Sequence, residues 1–251
     1  MKECVGNMKG LIPAAGLGNR LRPITLAIPK ELMLIGDKAI IEYVIEAMKE
    51  VGIGEITVVV GWRKHAILDY LGSGKRLDMK MSYVVQDQRD GLAKAVGTAE
   101  HIIGNESFMV VLGDDFFYPQ TFLQKILEFH NLHDADATIG VASVEDVSRH
   151  GIIKPGENNN IIDIIEKPSE ESAPSKLGCM GVYIFKPIIF DAIKRTKPGY
   201  NKEYQLTDSI KILIQDGYKV MYSQIEGTHI DVGTLDDYRT ANQFLSDIEK
   251  E

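Results

Sequence analysis

The segment LIPAAGLGNRLRPITLAIPKELM, residues 11–33, decides the fold of this chain. It joins a short apolar run to a loop in which Gly16 and Gly18 can adopt backbone angles closed to other residues and present N–H groups to an anion. Arg20 and Lys30 follow, so two cations can reach a phosphate held by the loop. The segment therefore predicts a phosphate-binding turn at the end of a buried strand.

Two other glycine-rich motifs fit this segment poorly. A dinucleotide-binding fingerprint has a third glycine and runs directly into a helix, whereas Pro23 and Pro29 break helices here. A Walker phosphate loop needs Gly-Lys-Ser or Gly-Lys-Thr, which the sequence lacks. An NAD-dependent oxidoreductase is therefore disfavoured. The glycine pair alone stays a weak signal, because plain βα turns also carry it.

Short β-rich apolar runs alternate with helical patterns through the rest of the first half. This alternation predicts βαβ units and a mainly parallel sheet. One helical pattern, KAIIEYVIEAMKEVG, should cover one face of that sheet and keep Glu42 on its wet side, because four apolar residues recur at helical spacing: Ile41, Val44, Ile45 and Met48.

The pattern changes after about residue 143. Shorter strand-like runs follow, namely GIIKP, NIIDIIEKP and CMGVYIFKP, broken by Pro, Gly and the asparagines at 158–160. We interpret them as a lid of short strands. The helical run QLTDSIKILIQDG, the strand-like KVMYSQI and a last helix that opens near Thr234 and Leu235 complete the pattern.

The chain is expected to form one domain, residues 1–251, with halves of about 8–143 and 144–250. Its 251 residues, 44% of them hydrophobic, suffice for a single large core. We find no internal repeat, low-complexity tract or long linker that would divide it.

Charge and hydropathy exclude several classes of protein. The net charge of −8 disfavours nucleic-acid and anionic-membrane surfaces, because such binding draws on clustered lysine and arginine. No stretch approaches the roughly 20 apolar residues of a membrane helix, and MKECVGNMKG lacks the apolar core of a signal peptide. We expect a cytoplasmic protein in which any phosphate site is a local concentration of positive groups.

Cysteine and histidine give no sign of a metal site. Cys4 and Cys179 lie far apart without a CxxC pair, which suggests neither zinc binding nor a disulfide. The run HNLHD holds His130, His133 and Asp134 but lacks a third ligand pattern, so we interpret it as an exposed helix end. No arrangement of Ser, His and Asp indicates covalent catalysis.

Acidic residues follow a buried strand. The run SFMVVLGDDFF brings Gly113, Asp114 and Asp115 to the carboxyl edge of the predicted sheet, where open α/β sheets bind ligands. Further along, HIDVGT offers Asp231 before Gly233. Two carboxylates that converge could hold magnesium together with phosphate oxygens and water. Spacing alone leaves open a helix-cap role for the first and a turn role for the second.

GLGNRLRPIT…IPKEL resembles the GxGTRxxPxT…PK signature of the sugar-1-phosphate nucleotidyltransferases, which include glucose-1-phosphate thymidylyltransferases and UTP-glucose-1-phosphate uridylyltransferases. The similarity runs from about Lys9 to Leu245, with several motifs in the family's order. Asn19 stands where threonine is usual, and Asp115 replaces a common asparagine. The resemblance implies an α/β fold: a Rossmann-like core with a mixed, mainly parallel sheet and a sugar-binding lid of short strands.

The resemblance also implies roles in the nucleotide half. VVQDQRDGLAKAV is similar to the family's Q-x(4)-GLAxA element, which holds the pyrimidine. An amide can donate to and accept from a base edge at once, and a glycine lets the backbone approach the base. On spacing alone, Gln86 would be a solvated strand end and Gly91 a helix-start glycine. The nucleotide-binding residues implied are Ala15, Gly16, Gly18, Asn19, Gln86 and Gly91.

The sugar half resembles the family at HGIIKP, IIEKPSE, CMGVYIF and KEYQLTD. In that match Glu166 accepts hydrogen bonds from sugar hydroxyls and Lys167 neutralises the sugar phosphate. Without the resemblance this pair would be an exposed strand end before Pro168. The sugar-phosphate-binding residues implied are Gly151, Glu166, Lys167, Gly181, Tyr183 and Glu203.

The implied reaction transfers a nucleotidyl group from dTTP or UTP to a hexose 1-phosphate, with glucose 1-phosphate expected, and releases pyrophosphate. Arg20, Lys30 and Asp114 would be catalytic, and Asp114 and Asp231 would bind Mg²⁺. Three alternatives stay open: a guanylyl- or cytidylyltransferase, another acceptor such as N-acetylglucosamine 1-phosphate, and a noncatalytic nucleotide-sugar-binding regulatory protein. The last should lack the metal ligands or the phosphate cations.

The expected partners are therefore two small substrates, a nucleoside triphosphate and a sugar 1-phosphate, with no nucleic acid and no membrane. A homo-oligomer stays open. The chain ends soon after the predicted last helix, where longer thymidylyltransferases add regulatory helices. We therefore expect weak end-product control.

Overall fold

The computed structural model describes residues 8–61 and 63–250, so the prediction made for Cys4 lies outside it. In these residues the strands are β1 Lys9–Ala14, β2 Leu34–Ile35, β3 Lys38–Ala39, β4 Glu55–Val60, β5 Lys80–Val85, β6 Phe108–Val111, β7 Asp115–Tyr118, β8 Ala137–Ser143, β9 Gly151–Pro155, β10 Ile161–Glu166, β11 Leu177–Phe185, β12 Val220–Gln224 and β13 Thr228–Asp231.

The helices alternate with these strands in the first half; in the second half two helices lie between β11 and β12 and one follows β13. They are α1 Ile40–Glu50, α2 Lys64–Leu71, α3 Leu92–Thr98, α4 Glu100–Ile103, α5 Phe122–His133, α6 Ile189–Arg195, α7 Leu206–Gln215 and α8 Leu235–Ile248. Thr234 caps α8, because its side chain accepts a hydrogen bond from the Asp237 N–H. The last helix therefore begins where the sequence predicted.

A nine-stranded mixed sheet forms the centre of the molecule. Its parallel part is β6-β1-β4-β5, built by the first half of the chain. Strand β11 joins it antiparallel to β6, and β8, β9, β10 and β12 complete the sheet. The predicted α/β fold is confirmed. The short strands of the second half extend this sheet, while β7 and β13 form a separate antiparallel pair.

Strand β11 changes neighbours part-way along. Its first half pairs with β9 at Gly178, and its second half pairs with β6 from Val182 onward on the same edge. The register shifts between Cys179 and Tyr183, and Gly181 in this stretch has φ +68°. The irregularity therefore separates the part of β11 that pairs with β9 from the part that pairs with β6.

Helix α1 covers one face of the sheet as predicted. Its four apolar residues are buried in the core that also contains Ile12 and Val58. Glu42, however, is 5% exposed rather than wet. It forms an ion pair with Arg76, whose side chain reaches back over the helix from a later turn.

His130 also departs from the prediction of an exposed helix end. It is 4% exposed and its Nδ1 lies 2.8 Å from Oγ1 of Thr138. It shares the inward face of α5 with Ile126 and Leu127, one turn earlier. Burial lowers the pKa of His130 to about 4.

Over residues 8–61 and 63–250, none of the helices has the length and apolarity needed to span a bilayer.

Candidate active site

A cavity of about 500 Å³ opens beside the carboxyl ends of β1 and β6 and the irregular part of β11. Every residue that the sequence nominated for a site lines it: Ala15, Gly16, Gly18, Asn19, Arg20, Lys30, Gln86, Gly91, Asp114, Gly151, Glu166, Lys167, Gly181, Tyr183, Glu203 and Asp231. The fold thus brings the nominated residues together, and their individual roles stay predictions.

The glycine loop forms the rim of the cavity next to β1. Gly18 has φ +62° and precedes a single 3-10 turn, Asn19–Leu21. A Cβ at Gly18 would lie 2.7 Å from Cγ2 of Thr25, whose hydroxyl donates to the Gly18 carbonyl at 2.7 Å. Only glycine fits this position, because backbone angle and space both exclude a side chain.

Lys30 lies under the loop and forms an ion pair with Asp114. Burial disfavours its charge, but Asp114, Glu31 and Asp231 outweigh burial and raise the pKa of Lys30. Its ammonium group is therefore charged at neutral pH. Because a Cβ on Gly16 would lie 3.3 Å from Cε of Lys30, the cation also borders the loop that is expected to hold phosphate.

Asp114 and Asp231 reach the cavity from neighbouring strand ends. Asp231 pairs with Asp115 in the β7–β13 ladder, and the Val232 N–H donates to the Asp114 carbonyl at 3.1 Å. Burial and the charge of Asp114 raise the pKa of Asp231, while Lys30 opposes the shift. A neighbouring carboxylate raises a pKa in this way because a second negative charge disfavours ionisation.

The chemistry of these two donors fits a hard divalent cation. Among the described residues, no cluster of three or more His, Cys, Asp or Glu has an arrangement that could hold a metal by itself. Magnesium usually takes one or two carboxylates and completes its octahedron with substrate phosphates and water. Asp114 and Asp231 match that incomplete protein shell.

Asp115 and His229 form a second buried pair that sequence reasoning missed. Oδ1 of Asp115 lies 3.3 Å from Nε2 of His229. Within the described part of the chain, Oδ2 of Asp115 has no hydrogen-bond partner and contacts the space where a Cβ on Gly181 would be. Burial raises the pKa of Asp115, and His229 opposes it. The spacing of His229 and Asp231 could have indicated this pair, because residues two apart in a strand share one face and His229 is therefore placed near the acidic residues.

Glu31 is another buried acid that was missed. It is 1% exposed, and neither of its carboxyl oxygens has a hydrogen-bond partner among the described residues. Burial raises its pKa to about 7, against the effect of Lys30. Its place next to Lys30 in PKEL was the available signal, but sequence alone does not distinguish a buried neighbour from an exposed one.

The element that is expected to bind the base contributes Gln86 and Gly91 to the cavity wall. Gln86 is 6% exposed rather than solvated, and its amide nitrogen donates to Oδ1 of Asp90 at 3.3 Å and to the Gly91 carbonyl at 3.2 Å. Gly91 has φ +125°, and a Cβ there would collide with the backbone of Tyr204. The Tyr204 N–H donates to the Asp90 carbonyl at 2.7 Å. The element is thus joined to the segment that contains Glu203.

The Glu166–Lys167 pair also lines the cavity. Lys167 Nζ lies 3.4 Å from Oε1 of Glu166 and 5.4 Å from the ring centre of Tyr200. Lys167 has φ +45°. The Glu166 side chain is 13% exposed, so this is not a solvated strand end. Oε2 of Glu166 accepts a hydrogen bond of 2.8 Å from the hydroxyl of Thr207, a buried residue that the sequence did not nominate.

Other unpredicted residues complete the wall. Arg149 pairs with Asp237 of α8 at 3.1 Å and connects the rim to that helix. His150 lines the cavity beside Gly151, and burial lowers the pKa of its ring. Burial raises the pKa of Cys179, which fits the prediction of an idle thiol.

An α/β sheet with a glycine loop, adjacent carboxylates and cations at its carboxyl edge defines a class of proteins that bind phosphorylated ligands. A family model described as nucleotidyl transferase matches residues 9–248. The chain therefore belongs to the nucleotidyl transferase family, among the sugar-1-phosphate nucleotidyltransferases, as the motifs predicted. Nucleotidyltransferases of this family generally use divalent metal ions.

Two curated relatives show the extent of the likeness. The chain is 36% identical over 239 residues to the low-salt glycan biosynthesis nucleotidyltransferase Agl11 of Haloferax volcanii, covering 95% of this chain and 66% of that protein. It thus spans just under two thirds of that relative's length. It is 38% identical to UTP–glucose-1-phosphate uridylyltransferase 1 of Staphylococcus saprophyticus, covering 90% of this chain and 88% of that protein.

Solved structures agree with this assignment. A UDP-glucose pyrophosphorylase complexed with UDP-glucose superposes with a TM-score of 0.89 at 34% identity, covering 96% of this chain and 98% of the other. A putative glucose-1-phosphate thymidylyltransferase from Bacillus anthracis gives a TM-score of 0.86 at 31% identity, covering 96% of each chain.

Proposed function

We propose that this protein transfers a nucleotidyl group from dTTP or UTP to a hexose 1-phosphate and releases pyrophosphate, with glucose 1-phosphate as the expected acceptor. The observation that carries the proposal is the convergence on one cavity of a glycine loop, two adjacent carboxylates, a buried amide and a Glu-Lys pair. The names of the staphylococcal relatives and of the UDP-glucose complex support the same pairing of substrates.

In the proposed reaction a phosphate oxygen of the sugar 1-phosphate attacks the α-phosphorus of the nucleotide. A new P–O bond forms as the bond from the α-phosphorus to the bridging oxygen breaks, and the electron pair leaves with pyrophosphate. The attacking oxygen is already anionic at neutral pH, so no side-chain base is required. The protein contributes alignment and charge neutralisation.

The cations divide between the two anionic substrates. Arg20 and Lys30 border the glycine loop and would hold the triphosphate, while Lys167 would hold the sugar phosphate. Asp114 and Asp231 would bind Mg²⁺, which supplies further neutralisation of the transferring phosphoryl group when bound. Lys30 would then exchange its pairing with Asp114 for a phosphate oxygen. Preorganised cations of this kind stabilise charge that spreads over the phosphoryl oxygens.

Two groups of residues in the cavity wall would select the base and the sugar of the substrates. Gln86 and Gly91 would hold the pyrimidine edge, and Glu166 would accept hydrogen bonds from sugar hydroxyls. Thr207 already orients one oxygen of Glu166, so the carboxylate is held in place before a sugar binds. A cytoplasmic location remains a prediction, and the oligomeric state stays open.

A pyrophosphate-release panel tests the proposal. The purified protein is incubated with Mg²⁺ and each of dTTP, UTP, CTP, GTP and ATP, combined with glucose 1-phosphate, galactose 1-phosphate or N-acetylglucosamine 1-phosphate. We expect the fastest release from dTTP or UTP with glucose 1-phosphate. A clear preference for GTP or ATP would defeat the pyrimidine assignment. Tight nucleotide binding without turnover in every combination would favour the noncatalytic alternative.

A further inference from the structure

The guanidinium group of Arg20 lies against the backbone of Gly233. A Cβ at Gly233 would be 2.7 Å from Nη2, 3.2 Å from Cζ and 3.4 Å from Nη1 of Arg20. Three atoms of the guanidinium group, with Nη2 the nearest, therefore lie next to the point that a Cβ at Gly233 would occupy. The space that any other residue would fill at position 233 is taken by the cation.

The backbones on both sides of this contact are fixed. Leu21 follows Arg20, Val232 precedes Gly233, and both are fully buried in one apolar cluster with Phe116. The Val232 N–H also donates to the Asp114 carbonyl at 3.1 Å. Neither backbone segment can move away without disrupting this cluster. The space left by the absent side chain at Gly233 therefore determines where the guanidinium lies.

The contact directs Arg20 toward the cavity. Arg20 and Asp231 both line it, and Arg20 is among the cations that oppose the rise in the pKa of Asp231. A guanidinium in this position borders the same cavity as Asp231, and its N–H groups are available for phosphate oxygens. Its planar, forked donors suit bidentate contact with phosphate.

We propose that Gly233 is a positioning residue: because it has no side chain, the Arg20 guanidinium can pack against its backbone. This contact would hold the cation in the cavity wall that Asp231 also lines, with its donors toward the triphosphate. The inference rests on the proposed function, because it assigns Arg20 to the nucleotide phosphates. It goes beyond that function by giving a glycine without catalytic atoms a role in placing the charge.

The backbone at Gly233 does not itself require glycine. Its φ lies outside the left-handed region, in contrast to Gly18 and Gly181. The three heavy atoms nearest to an added Cβ all belong to the far end of the Arg20 side chain, which can move. Gly233→Ala should therefore preserve the fold and displace the guanidinium.

The test compares Gly233→Ala, Arg20→Ala and the double variant with the wild type. Gly54→Ala is the matched control, because Gly54 has an ordinary φ and nothing within 4 Å of an added Cβ. Affinity for UTP with Mg²⁺ is measured by calorimetry, pyrophosphate release by a coupled assay, and folding by thermal denaturation. Misplacing a catalytic group by about 1 Å can reduce rates about 100-fold, which is the scale expected for Gly233→Ala.

We expect Gly233→Ala to weaken UTP binding and turnover, Gly54→Ala to match the wild type, and the double variant to resemble Arg20→Ala. This non-additivity would show that the alanine acts through Arg20. Unchanged UTP affinity and turnover in Gly233→Ala would overturn the inference, and so would losses that add fully to those of Arg20→Ala.

Two further results keep this inference separate from the proposed function. If the wild type releases no pyrophosphate with any substrate pair, the proposed function fails. The UTP affinities of the wild type, Gly233→Ala, Arg20→Ala and the double variant then still decide whether Gly233 positions Arg20. If Gly233→Ala does not fold, recovery of folding in the double variant supports the contact, because the added methyl group then meets no guanidinium. Failure of both to fold overturns it.

Discussion

Replacing Thr207 by valine should weaken the binding of sugar 1-phosphate much more than the binding of nucleotide. The Thr207 hydroxyl donates to Oε2 of Glu166 at 2.8 Å, and the residue is 5% exposed. Valine has nearly the same shape and retains a methyl group next to Gly151, where the packing is close. The substitution therefore removes one hydrogen bond to a carboxylate with little change in volume.

The expected magnitude follows from the charge on the acceptor. A hydrogen bond to an ionised group contributes about 1.5–3 kcal/mol. Since about 1.4 kcal/mol corresponds to a tenfold change in an equilibrium constant, the KM for sugar 1-phosphate should rise about 10- to 140-fold if the whole loss falls on sugar binding. The KM for nucleotide should change little, because the Gln86 amide is held by Asp90 and Gly91 and the glycine loop packs against Thr25.

Steady-state kinetics with each substrate varied in turn measure both constants. Thr207→Ser is the control, because it keeps the hydroxyl and should retain a KM for sugar 1-phosphate near that of the wild type. The reasoning is refuted if valine leaves that constant unchanged, or if both KM values rise equally, since an equal rise would indicate a general disturbance of α7.

The remaining predictions concern the metal, the cations and a buried histidine. Asp114→Asn and Asp231→Asn should each lose orders of magnitude in turnover while remaining folded, as measured with Mg²⁺ titrations and circular dichroism. Lys167→Ala should raise the KM for sugar 1-phosphate more than that for nucleotide, and Lys30→Ala should do the reverse. The folded pKa of His130, about 4, is below its usual 6.5, so stability falls as pH drops from 6.5 toward 4. His130→Gln should remove that fall, which amounts to about 2 kcal/mol between pH 7.5 and 5 in urea unfolding.

Each of these has an opposing result. Full activity of either asparagine variant would remove that aspartate from the metal site. Equal changes in both KM values for Lys167→Ala would count against separate phosphate subsites. For the histidine, the wild type and His130→Gln are compared at pH 7.5 and 5, and parallel losses of stability would mean that other groups cause the acid sensitivity.

Much of the site could be predicted because its requirements are local. The left-handed angle at Gly18 and the run of apolar residues before Asp114 can both be read from a few neighbouring letters. The motif resemblance then supplied Gln86 and Glu166, which on spacing alone would have been assigned to the surface. The structure buries Gln86 and leaves only 13% of the Glu166 side chain exposed. Gln86 directly follows β5, Glu166 ends β10, and both line the cavity.

The residues that were missed depend on contacts between distant parts of the chain. Asp115 meets His229 only because β7 pairs with β13, and Thr207 reaches Glu166 only because α7 packs over β10. The prediction that His130 lies at an exposed helix end is wrong, because a polar residue near the end of a helix need not face solvent. Its face of α5 is apolar, which a helical projection of that segment would have revealed.

The charges around the cavity explain why this protein should favour substrates that arrive with a cation. Asp114, Asp115 and Asp231 together line the cavity. Burial and the charge of Asp114 raise the pKa values of Asp115 and Asp231, and His229 and Lys30 oppose only part of that rise. Buried like charges destabilise a fold, so such a cluster is expected only where a ligand uses it. A triphosphate accompanied by a divalent metal would place positive charge between the carboxylates and free Lys30 for the phosphates. A sugar phosphate alone would supply only negative charge and would depend on Lys167.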